Sequence, residues 1–199
     1  MLKFDTNPLG DYQTNCYLVW DDASKSCVVI DPGYTPQTVL RRAAALGLTV
    51  EAVLLTHGHF DHVGGVAGIA EATGCPVYIS SRELTLPPAI TAGPLRYTNT
   101  YPAEPLHLAG LTFEILETPG HTPGSVCLLA EDAMFAGDTL FAGSCGRVDL
   151  PGGSPRDMRD SLDRLRQLKK NYRVLPGHGP ASTLEEEKRT NPYLQGRWL

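Results

Sequence analysis

Residues 56–62, Thr-His-Gly-His-Phe-Asp-His, place three imidazoles and one carboxylate within seven positions. They follow the apolar run 52–55, which is short enough to be a buried strand, so the ligand-type side chains would emerge where a strand ends and a loop begins. Gly58 has no Cβ and would let the backbone turn so that His57 and His59 converge. The pattern H-x-H-x-D-H therefore predicts a metal site.

Composition excludes several other classes of protein. The chain has 199 residues, a formal net charge of −5 and 20% charged residues, and its Lys and Arg are scattered. That pattern argues against a nucleic-acid surface and against a polybasic membrane patch. The length suits one domain over residues 1–199. No leader pattern opens the chain and no stretch reaches membrane-spanning length, so we expect a cytoplasmic protein. Five cysteines without paired spacing make a disulfide framework unexpected.

The first half of the chain predicts a hairpin followed by parallel crossovers. Strands are expected over residues 15–20 and 27–30, joined by a polar turn. Thr35 is expected to cap a helix that runs to about Leu46. A further helix is expected over residues 65–73 and a further strand over 76–79, which gives a β-α-β pattern.

The second half begins with an irregular segment. Residues 86–105 are rich in Pro, Thr and Tyr without a clear period, which predicts an excursion over the surface or a lid. Ser154 is expected to begin a helix through a capping box, and residues 184–189 to form a solvated helix. Strands are predicted over residues 111–116, 125–129, 133–136 and 173–175.

Three more ligand-type residues lie in Gly-containing turns directly after apolar runs: His121, Asp138 and His178. A turn role would suffice for Asp138 alone, as an Asx-turn residue. Because the same arrangement recurs after several predicted strands, we expect these side chains to join the site formed by residues 56–62. His107 lacks this context, since it lies between two leucines, and is expected to be a non-ligand histidine.

The motifs that have now been described resemble those of the metallo-β-lactamase-fold superfamily, most closely its small glyoxalase II-like (hydroxyacylglutathione hydrolase-like) members. The resemblance implies an α+β fold, a four-layer αβ/βα sandwich with the metal site along one edge. Larger glyoxalase II enzymes carry a separate C-terminal helical domain, which the few residues after His178 would not provide. The matching stretches are Asn15-Cys16-Tyr17, Asp31-Pro32-Gly33 and residues 56–62, 118–125, 137–141 and 176–179.

The resemblance also implies a ligand set for two divalent metal ions. Zinc is the first expectation, and iron or manganese would suit the same nitrogen and oxygen donors. One ion would take His57, His59 and His121. The other would take Asp61, His62 and His178. Asp138 and a hydroxide would bridge the two ions, and Asp61 would also orient the hydroxide or accept its proton.

Two further residues receive roles from the resemblance. Asp31 would accept a hydrogen bond from a ligand imidazole, with a simple turn role as the alternative. Arg147 occupies the basic position of a loop, residues 141–147, that in the family holds the glutathione carboxylate. The alternative for Arg147 is a loop anchor paired with Asp149 or Asp157.

The implied activity is hydrolysis of a small-molecule thioester or related ester, with S-D-lactoylglutathione as the first substrate. A thiolate, whose parent thiol has a pKa of about 8.5, departs without a proton, whereas an amide nitrogen requires one. One alternative is a persulfide dioxygenase with a single iron held by His57, His121 and Asp138, because residues 143–149 also resemble the loop of those enzymes. The other is a non-catalytic metal-binding module. No nucleic-acid or membrane partner is expected, and the oligomeric state is left open.

Overall fold

A computed structural model describes residues 1–197, so the last two positions of the predicted domain lie outside the described residues. The strands are β1 Leu2–Leu9, β2 Thr14–Asp21, β3 Ser26–Ile30, β4 Thr49–Leu54, β5 Val77–Ile79, β6 Asn99–Thr100, β7 Leu106–Leu108, β8 Leu111–Glu117, β9 Val126–Ala130, β10 Ala133–Gly137, β11 Leu140–Phe141, β12 Ser144–Cys145, β13 Arg173–Pro176 and β14 Ser182–Thr183. The helices are α1 Pro36–Ala45, α2 Phe60–Val63, α3 Val66–Thr73, α4 Pro88–Thr91, α5 Pro155–Gln167 and α6 Leu184–Thr190, with a 3-10 helix at Ser81–Thr85.

Two six-stranded sheets form the centre of the fold. The first has the order β1-β2-β3-β4-β5-β6, and the second the order β14-β13-β10-β9-β8-β7. In the first sheet, β1, β2 and β3 pair antiparallel and β3 to β6 pair parallel. In the second, β10 and β13 are parallel and the other pairs are antiparallel. Strands β11 and β12 form a separate small ribbon.

The sheets pack face to face because each strand alternates its apolar side chains between two faces. Phe113 and Phe135 from the second sheet and Ile30 and Leu54 from the first are fully buried between them. The outer face of the first sheet packs against α1 and α3. The outer face of the second packs against α5 and α6. The expected four-layer α+β sandwich is therefore confirmed.

Most of the predicted elements are present. The hairpin is β2–β3, and the predicted crossovers are the parallel pairs β3–β4 and β4–β5. Ser154 does accept a hydrogen bond from the Asp157 amide at the start of α5. Thr35 does precede α1, but its φ is 42° and its side chain makes no capping hydrogen bond, so that part of the prediction was wrong.

Three segments differ from expectation. Strand β1 was not predicted, because it is an edge strand whose middle is only partly buried and which contains Pro8. The segment 86–105 contains the short helix α4 and strand β6. Helix α6 was expected to be solvated, but Leu184 and Glu187 are buried on its inner face. Among residues 1–197, no helix is long and apolar enough to cross a membrane.

The buried ring of Phe135 gives a test of the packing between the sheets. Phe135 is 0% exposed and meets the Tyr17 ring edge-on, with ring centroids 5.2 Å apart. Phe135→Ala should lower the free energy of unfolding by about 3 to 5 kcal/mol, because it leaves a cavity between the sheets. The measurement is urea unfolding of metal-stripped protein. The matched control, Tyr97→Ala at an aromatic ring that is 42% exposed, should cost less than about 1 kcal/mol. Equal losses in the two variants would contradict the packing.

Candidate metal centre

All seven residues predicted as metal ligands lie together, where loops from both sheets meet. His57 and His59 follow β4, and α2 then presents Asp61 and His62 one turn further on. The second sheet contributes the remaining residues from loops that follow three of its strands: His121 after β8, Asp138 after β10 and His178 after β13. The role of these seven residues as ligands stays a prediction, which their geometry supports as follows.

His57, His59 and His121 form the first group of donors. Each pair of their ring centroids is between 4.6 and 4.9 Å apart. Their ligand atoms all lie within 4.8 Å of one another, and the three residues are buried. The Nε2 atoms of all three are buried without a hydrogen-bond partner. Buried nitrogen atoms are normally hydrogen-bonded, so converging unpartnered imidazoles fit a bound metal ion.

Asp61, His62 and His178 form the second group, again with ligand atoms within 4.8 Å of one another. Asp61 Oδ2 is 3.2 Å from His178 Nε2 and 3.7 Å from His62 Nε2, and it accepts a hydrogen bond from Thr14 Oγ1 at 3.1 Å. His178 is the most open member, with 28% of its side chain exposed. One carboxylate and two imidazoles form a nitrogen and oxygen donor set that suits a second divalent ion.

Asp138 lies between the two groups. Its Oδ2 is 3.5 Å from His121 Nε2 in the first group and 3.6 Å from His178 Nε2 in the second, and its Oδ1 is 3.4 Å from His62 Nε2. Asp138 Oδ1 is buried and has no hydrogen-bond partner. A carboxylate with its two oxygens facing donors of both groups is suited to bridge two metal ions.

The Nδ1 atoms of His62, His121 and His178 face acceptors elsewhere in the protein. His62 Nδ1 is 2.9 Å from Asp31 Oδ2, His121 Nδ1 is 2.8 Å from the Arg147 carbonyl, and His178 Nδ1 is 3.0 Å from the Tyr12 carbonyl. A carbonyl only accepts, so in His121 and His178 the Nδ1 atom carries the hydrogen. When such a ring is neutral, its lone pair is on Nε2, which points toward the other ligand-type residues.

Asp31 organises two imidazoles at once. Besides His62, it accepts hydrogen bonds from the Thr56 amide at 2.8 Å and from the Thr56 hydroxyl at 2.5 Å. Because that hydroxyl donates to Asp31, its oxygen is free to accept from His57 Nδ1, which is 3.1 Å away. The sequence pointed to a single imidazole contact for Asp31 and gave no role to Thr56, although Thr56 lies inside the motif.

Glycines at the site are required because neighbouring atoms lie too close to leave room for a Cβ. His57 and His59 converge as expected, with ring centroids 4.9 Å apart, but Gly58 has no positive φ that would itself require glycine. A Cβ there would lie 3.1 Å from Glu83 Oε2 and 3.2 Å from Leu86 Cδ1. A Cβ at Gly177 would lie 2.3 Å from Asp138 Oδ1 and 2.6 Å from His62 Cε1. Side chains at these positions would push the ligand-type residues apart.

Residues of the first sheet hold the loop that carries His178. Asn15 Nδ2 donates to the carbonyls of Pro176 and Gly179 at 3.0 and 2.9 Å, and the Tyr17 hydroxyl donates to the Pro176 carbonyl at 2.7 Å. The backbone N–H of Asn15 also donates to the carbonyl of Gly177 at 2.7 Å. The motif Asn-Cys-Tyr in β2 therefore ties a loop of the second sheet to the first sheet.

Charge at the site differs between the two groups. Burial and, to a lesser extent, the neighbouring imidazoles lower the pKa of His57 and His59, the latter to about 4. Burial alone would also lower the pKa of His62, but the Asp138 and Asp31 carboxylates outweigh it and raise that pKa well above its usual value. Conversely, the imidazoles around Asp138 lower its carboxyl pKa despite burial. A divalent cation requires neutral imidazoles, so its binding would release protons from His62 and from His178, whose pKa is raised by Asp61 and Asp138 despite burial.

A cavity of about 620 Å³ opens above these residues. His59, Asp61, His121, Asp138 and His178 line its floor, and much of the remaining wall is apolar: Tyr12, Phe60, Ala89, Ile90, Phe141 and Leu150. Two of these wall residues come from α4, so the segment 86–105 forms part of the cavity instead of lying only on the outer surface. Its periodicity gave no signal for this role, since α4 has only four residues.

Arg147 lines the same cavity but is already paired. Its Nε and Nη2 donate to Asp149 Oδ1 and Oδ2 at 2.7 and 2.8 Å, and both side chains are more than 60% exposed. Arg147 lowers the pKa of Asp149 to about 2. The loop-anchor alternative is thus present in the structure, and the Arg147 side chain also lines the cavity.

Three relatives show what the chain resembles in sequence. It is 39% identical to an uncharacterized protein of Mycobacterium leprae, with 95% of this chain and 97% of that protein covered. It is 34% identical to the hydroxyacylglutathione hydrolase GloC of Haemophilus influenzae, with 98% and 100% covered. It is 35% identical to the probable metallo-hydrolase YqgX of Bacillus subtilis, with 98% and 99% covered.

Solved structures give the same result for the fold. The BLEG-1 B3 metallo-beta-lactamase matches with a TM-score of 0.89 and 35% identity, over 98% of this chain and 100% of that chain. TTHA1623 in a di-iron-bound form matches with a TM-score of 0.84 and 41% identity, over 96% and 100%. ETHE1 from Myxococcus xanthus matches with a TM-score of 0.80 and 30% identity, over 98% and 85%.

The position of Asp138 between the two groups gives a direct test of metal binding. Asp138→Asn removes the negative charge but keeps the shape. The purified protein should therefore hold less metal and lose more than about 100-fold in hydrolytic activity. This loss is larger than the one expected when a residue that only hydrogen-bonds a metal ligand is replaced. Metal analysis by mass spectrometry checks the first part. Asp132→Asn, which changes an Asp paired with Arg173, should retain wild-type metal content. Full metal content in Asp138→Asn would exclude the bridging role.

The family comparison covers most of the chain. The model of the metallo-beta-lactamase superfamily matches residues 9–178, which include all seven candidate ligands. The described geometry, the relatives and the solved structures agree with that match. The chain belongs to the metallo-beta-lactamase superfamily, as one of its metallo-hydrolases.

Proposed function

We propose that this protein hydrolyses thioesters at a centre of two metal ions, with S-D-lactoylglutathione or a similar hydroxyacyl thioester as its substrate. The full-length similarity to a hydroxyacylglutathione hydrolase supports this substrate class. A cavity of about 620 Å³ is large enough for an acyl group and part of a thiol arm.

The observation that carries the proposal is the position of Asp138 between two separate donor groups. Its carboxylate lies 3.4 to 3.6 Å from imidazoles of both groups. A mononuclear centre would leave Asp61, His62 and His178 without a metal, although their ligand atoms also converge. Two ions, with zinc first and iron or manganese as alternatives, therefore fit the donors better than one.

The residues divide the chemical work between them. Two divalent ions held by the two groups would supply a hydroxide nucleophile near neutral pH and polarise the substrate carbonyl. Asp61, whose carboxyl pKa is lowered by His178 and His62 despite burial, is ionised and can orient that nucleophile or accept its proton. The cavity wall beside these residues is apolar at Phe60 and Ile90, which suits the apolar part of an acyl group.

The leaving group favours thioesters over amides. A thiolate departs unprotonated near neutral pH, because its parent thiol has a pKa of about 8.5. An amide nitrogen requires a proton from an acid. Cys145 lines the cavity, but burial raises its thiol pKa to about 11, so it is a poor acid for this step. We therefore place thioesters and activated esters ahead of lactams as substrates.

A mononuclear iron dioxygenase acting on persulfides is the second candidate. His57, His121 and Asp138 would hold the iron, and the distance of 3.5 Å from His121 Nε2 to Asp138 Oδ2 is compatible with that triad. A non-catalytic metal-binding role ranks third, because the cavity exposes the donor groups to small molecules. The cytoplasmic location, the small-molecule thioester partner and the lack of nucleic-acid and membrane partners belong to the proposal and rest on the sequence.

The first experiment combines metal content with anaerobic turnover. Protein purified without added metal should contain about two metal ions per chain and hydrolyse S-D-lactoylglutathione without oxygen, and a chelator should abolish turnover. A β-lactam serves as the comparison substrate and should be turned over more slowly. A single iron per chain with oxygen uptake on glutathione persulfide would support the second candidate. Full metal content with no turnover of any substrate would leave the binding role.

The pair Arg147 and Asp149 tests the glutathione part of the proposal. Arg147→Ala should raise KM for the glutathione thioester about 10-fold, since a hydrogen bond to a charged group contributes about 1.5 to 3 kcal/mol. Asp149→Asn should lower this KM, because it frees the guanidinium for the substrate carboxylate. A thioester of an uncharged thiol is the control and should show neither change. If both variants alter both substrates alike, Arg147 is only a loop anchor.

A further inference from the structure

Glu83 is a buried carboxylate that the proposed chemistry does not use. It lies in the 3-10 helix Ser81–Thr85 and is 0% exposed. The sequence gave no signal for it, since it stands in a polar segment without a motif. Burying a carboxylate is costly unless its oxygens receive hydrogen bonds, so the partners of this group define what it does.

Both oxygens of Glu83 accept hydrogen bonds from glycine amides. The Gly58 amide donates to Oε2 at 2.6 Å, and the Gly124 amide donates to Oε1 at 2.7 Å. Gly58 lies between His57 and His59, whereas Gly124 ends the loop that carries His121. One carboxylate therefore connects the two loops that present the first group of imidazoles.

The two glycines fit this carboxylate closely. A Cβ at Gly124 would lie 2.7 Å from Glu83 Oε1, and a Cβ at Gly58 would lie 3.1 Å from Oε2. Burial raises the pKa of Glu83, and the hydrogen bonds from Thr122, Gly58 and Gly124 oppose that rise. Within residues 1–197, no cation is among the groups that shift this pKa. The carboxylate is held by loop donors alone.

The geometry points to Glu83 as a positioning residue that sets the spacing between the His57–His59 loop and the His121 loop, and through it the metal affinity of the three-histidine group. The loops come from different sheets, and the hydrogen bond from the Val126 amide to the Thr56 carbonyl at 2.9 Å joins them at their bases. Further along both loops, Glu83 adds a short bridge with two charge-assisted hydrogen bonds, next to the imidazoles themselves. The second donor group, Asp61 with His62 and His178, makes no contact of this kind with Glu83 among the described hydrogen bonds.

Glu83→Gln tests this role with little change of shape. The amide has one oxygen and one NH₂ group, so the NH₂ group must face one of the two glycine N–H groups and that bridge is lost. The apoprotein is titrated with Zn²⁺ against a chromophoric chelator. We expect one Zn²⁺ affinity to fall about 10- to 100-fold, as for other residues that orient metal ligands, and any second affinity to change less.

Glu187→Gln is the matched control. Glu187 is 2% exposed and its Oε2 likewise accepts a backbone N–H, from Gly143 at 2.9 Å, but among the described hydrogen bonds it has no partner in either histidine loop. This variant should keep both Zn²⁺ affinities while losing comparable thermal stability. If it weakens Zn²⁺ binding as much as Glu83→Gln does, or if Glu83→Gln binds as tightly as wild type, the positioning role is refuted.

Glu83→Asp keeps the test open if the Gln variant does not fold. Its carboxylate is one methylene shorter and can reach only one of the two amides, so the same affinity should fall. The inference rests on the metal assignment of the proposed function, and the two fail differently. Wild-type protein that binds no Zn²⁺ would refute the metal assignment, whereas tight binding by wild type and both Glu83 variants would refute the bridge alone.

Discussion

The site depends on hydrogen bonds that fix the Nδ1 side of buried imidazoles. Asp31 forms a hydrogen bond with His62 and, through the Thr56 hydroxyl, also orients His57. Backbone carbonyls accept hydrogen bonds from the Nδ1 atoms of His121 and His178. For the buried rings of His57, His62 and His121, burial removes water as an alternative partner, so each of these rings has one arrangement that satisfies its Nδ1 atom. The opposite nitrogens then face one another around the ionised Asp138. Such a cluster of donors is stable when it shares a cation, which links the fold of these loops to metal binding.

Contacts between the two sheets make this arrangement possible. Neither donor group comes from one sheet alone. The first combines His57 and His59, which follow a strand of the first sheet, with His121 from the second sheet. The other combines Asp61 and His62 of α2 with His178 from the second sheet. Asn15 and Tyr17 tie the His178 loop to the first sheet, and Glu83 ties the His57–His59 loop to the His121 loop. The apolar layer between the sheets holds their relative position, and these polar bridges adjust the loops at its edge. Packing and catalysis are therefore coupled through a few buried hydrogen bonds.

Several features were accessible from local sequence because their causes are local. Short runs rich in apolar residues predicted β2, β3 and β8 to β10, and the capping residue Ser154 predicted the start of α5. Strand β1 was missed because an edge strand needs little burial, and the inner face of α6 was missed because Glu187 and Asn191 are buried through hydrogen bonds, a pattern that hydrophobic periodicity does not detect. The close packing of Glu83 against Gly58 was missed because the two residues are 25 positions apart in the chain.

The sequence by itself determined the identity of the seven ligand-type residues and their positions at strand ends, because ligand chemistry and apolar runs are evident from residue types and spacing. The layered α+β class followed from the resemblance of its motifs to those of a known family. The tertiary structure decided how Asp138 stands between two groups, which acceptors orient the rings, that Arg147 is paired with Asp149, and that α4 closes the cavity wall. These features depend on distances between segments far apart in the chain, which are set only when the two sheets pack.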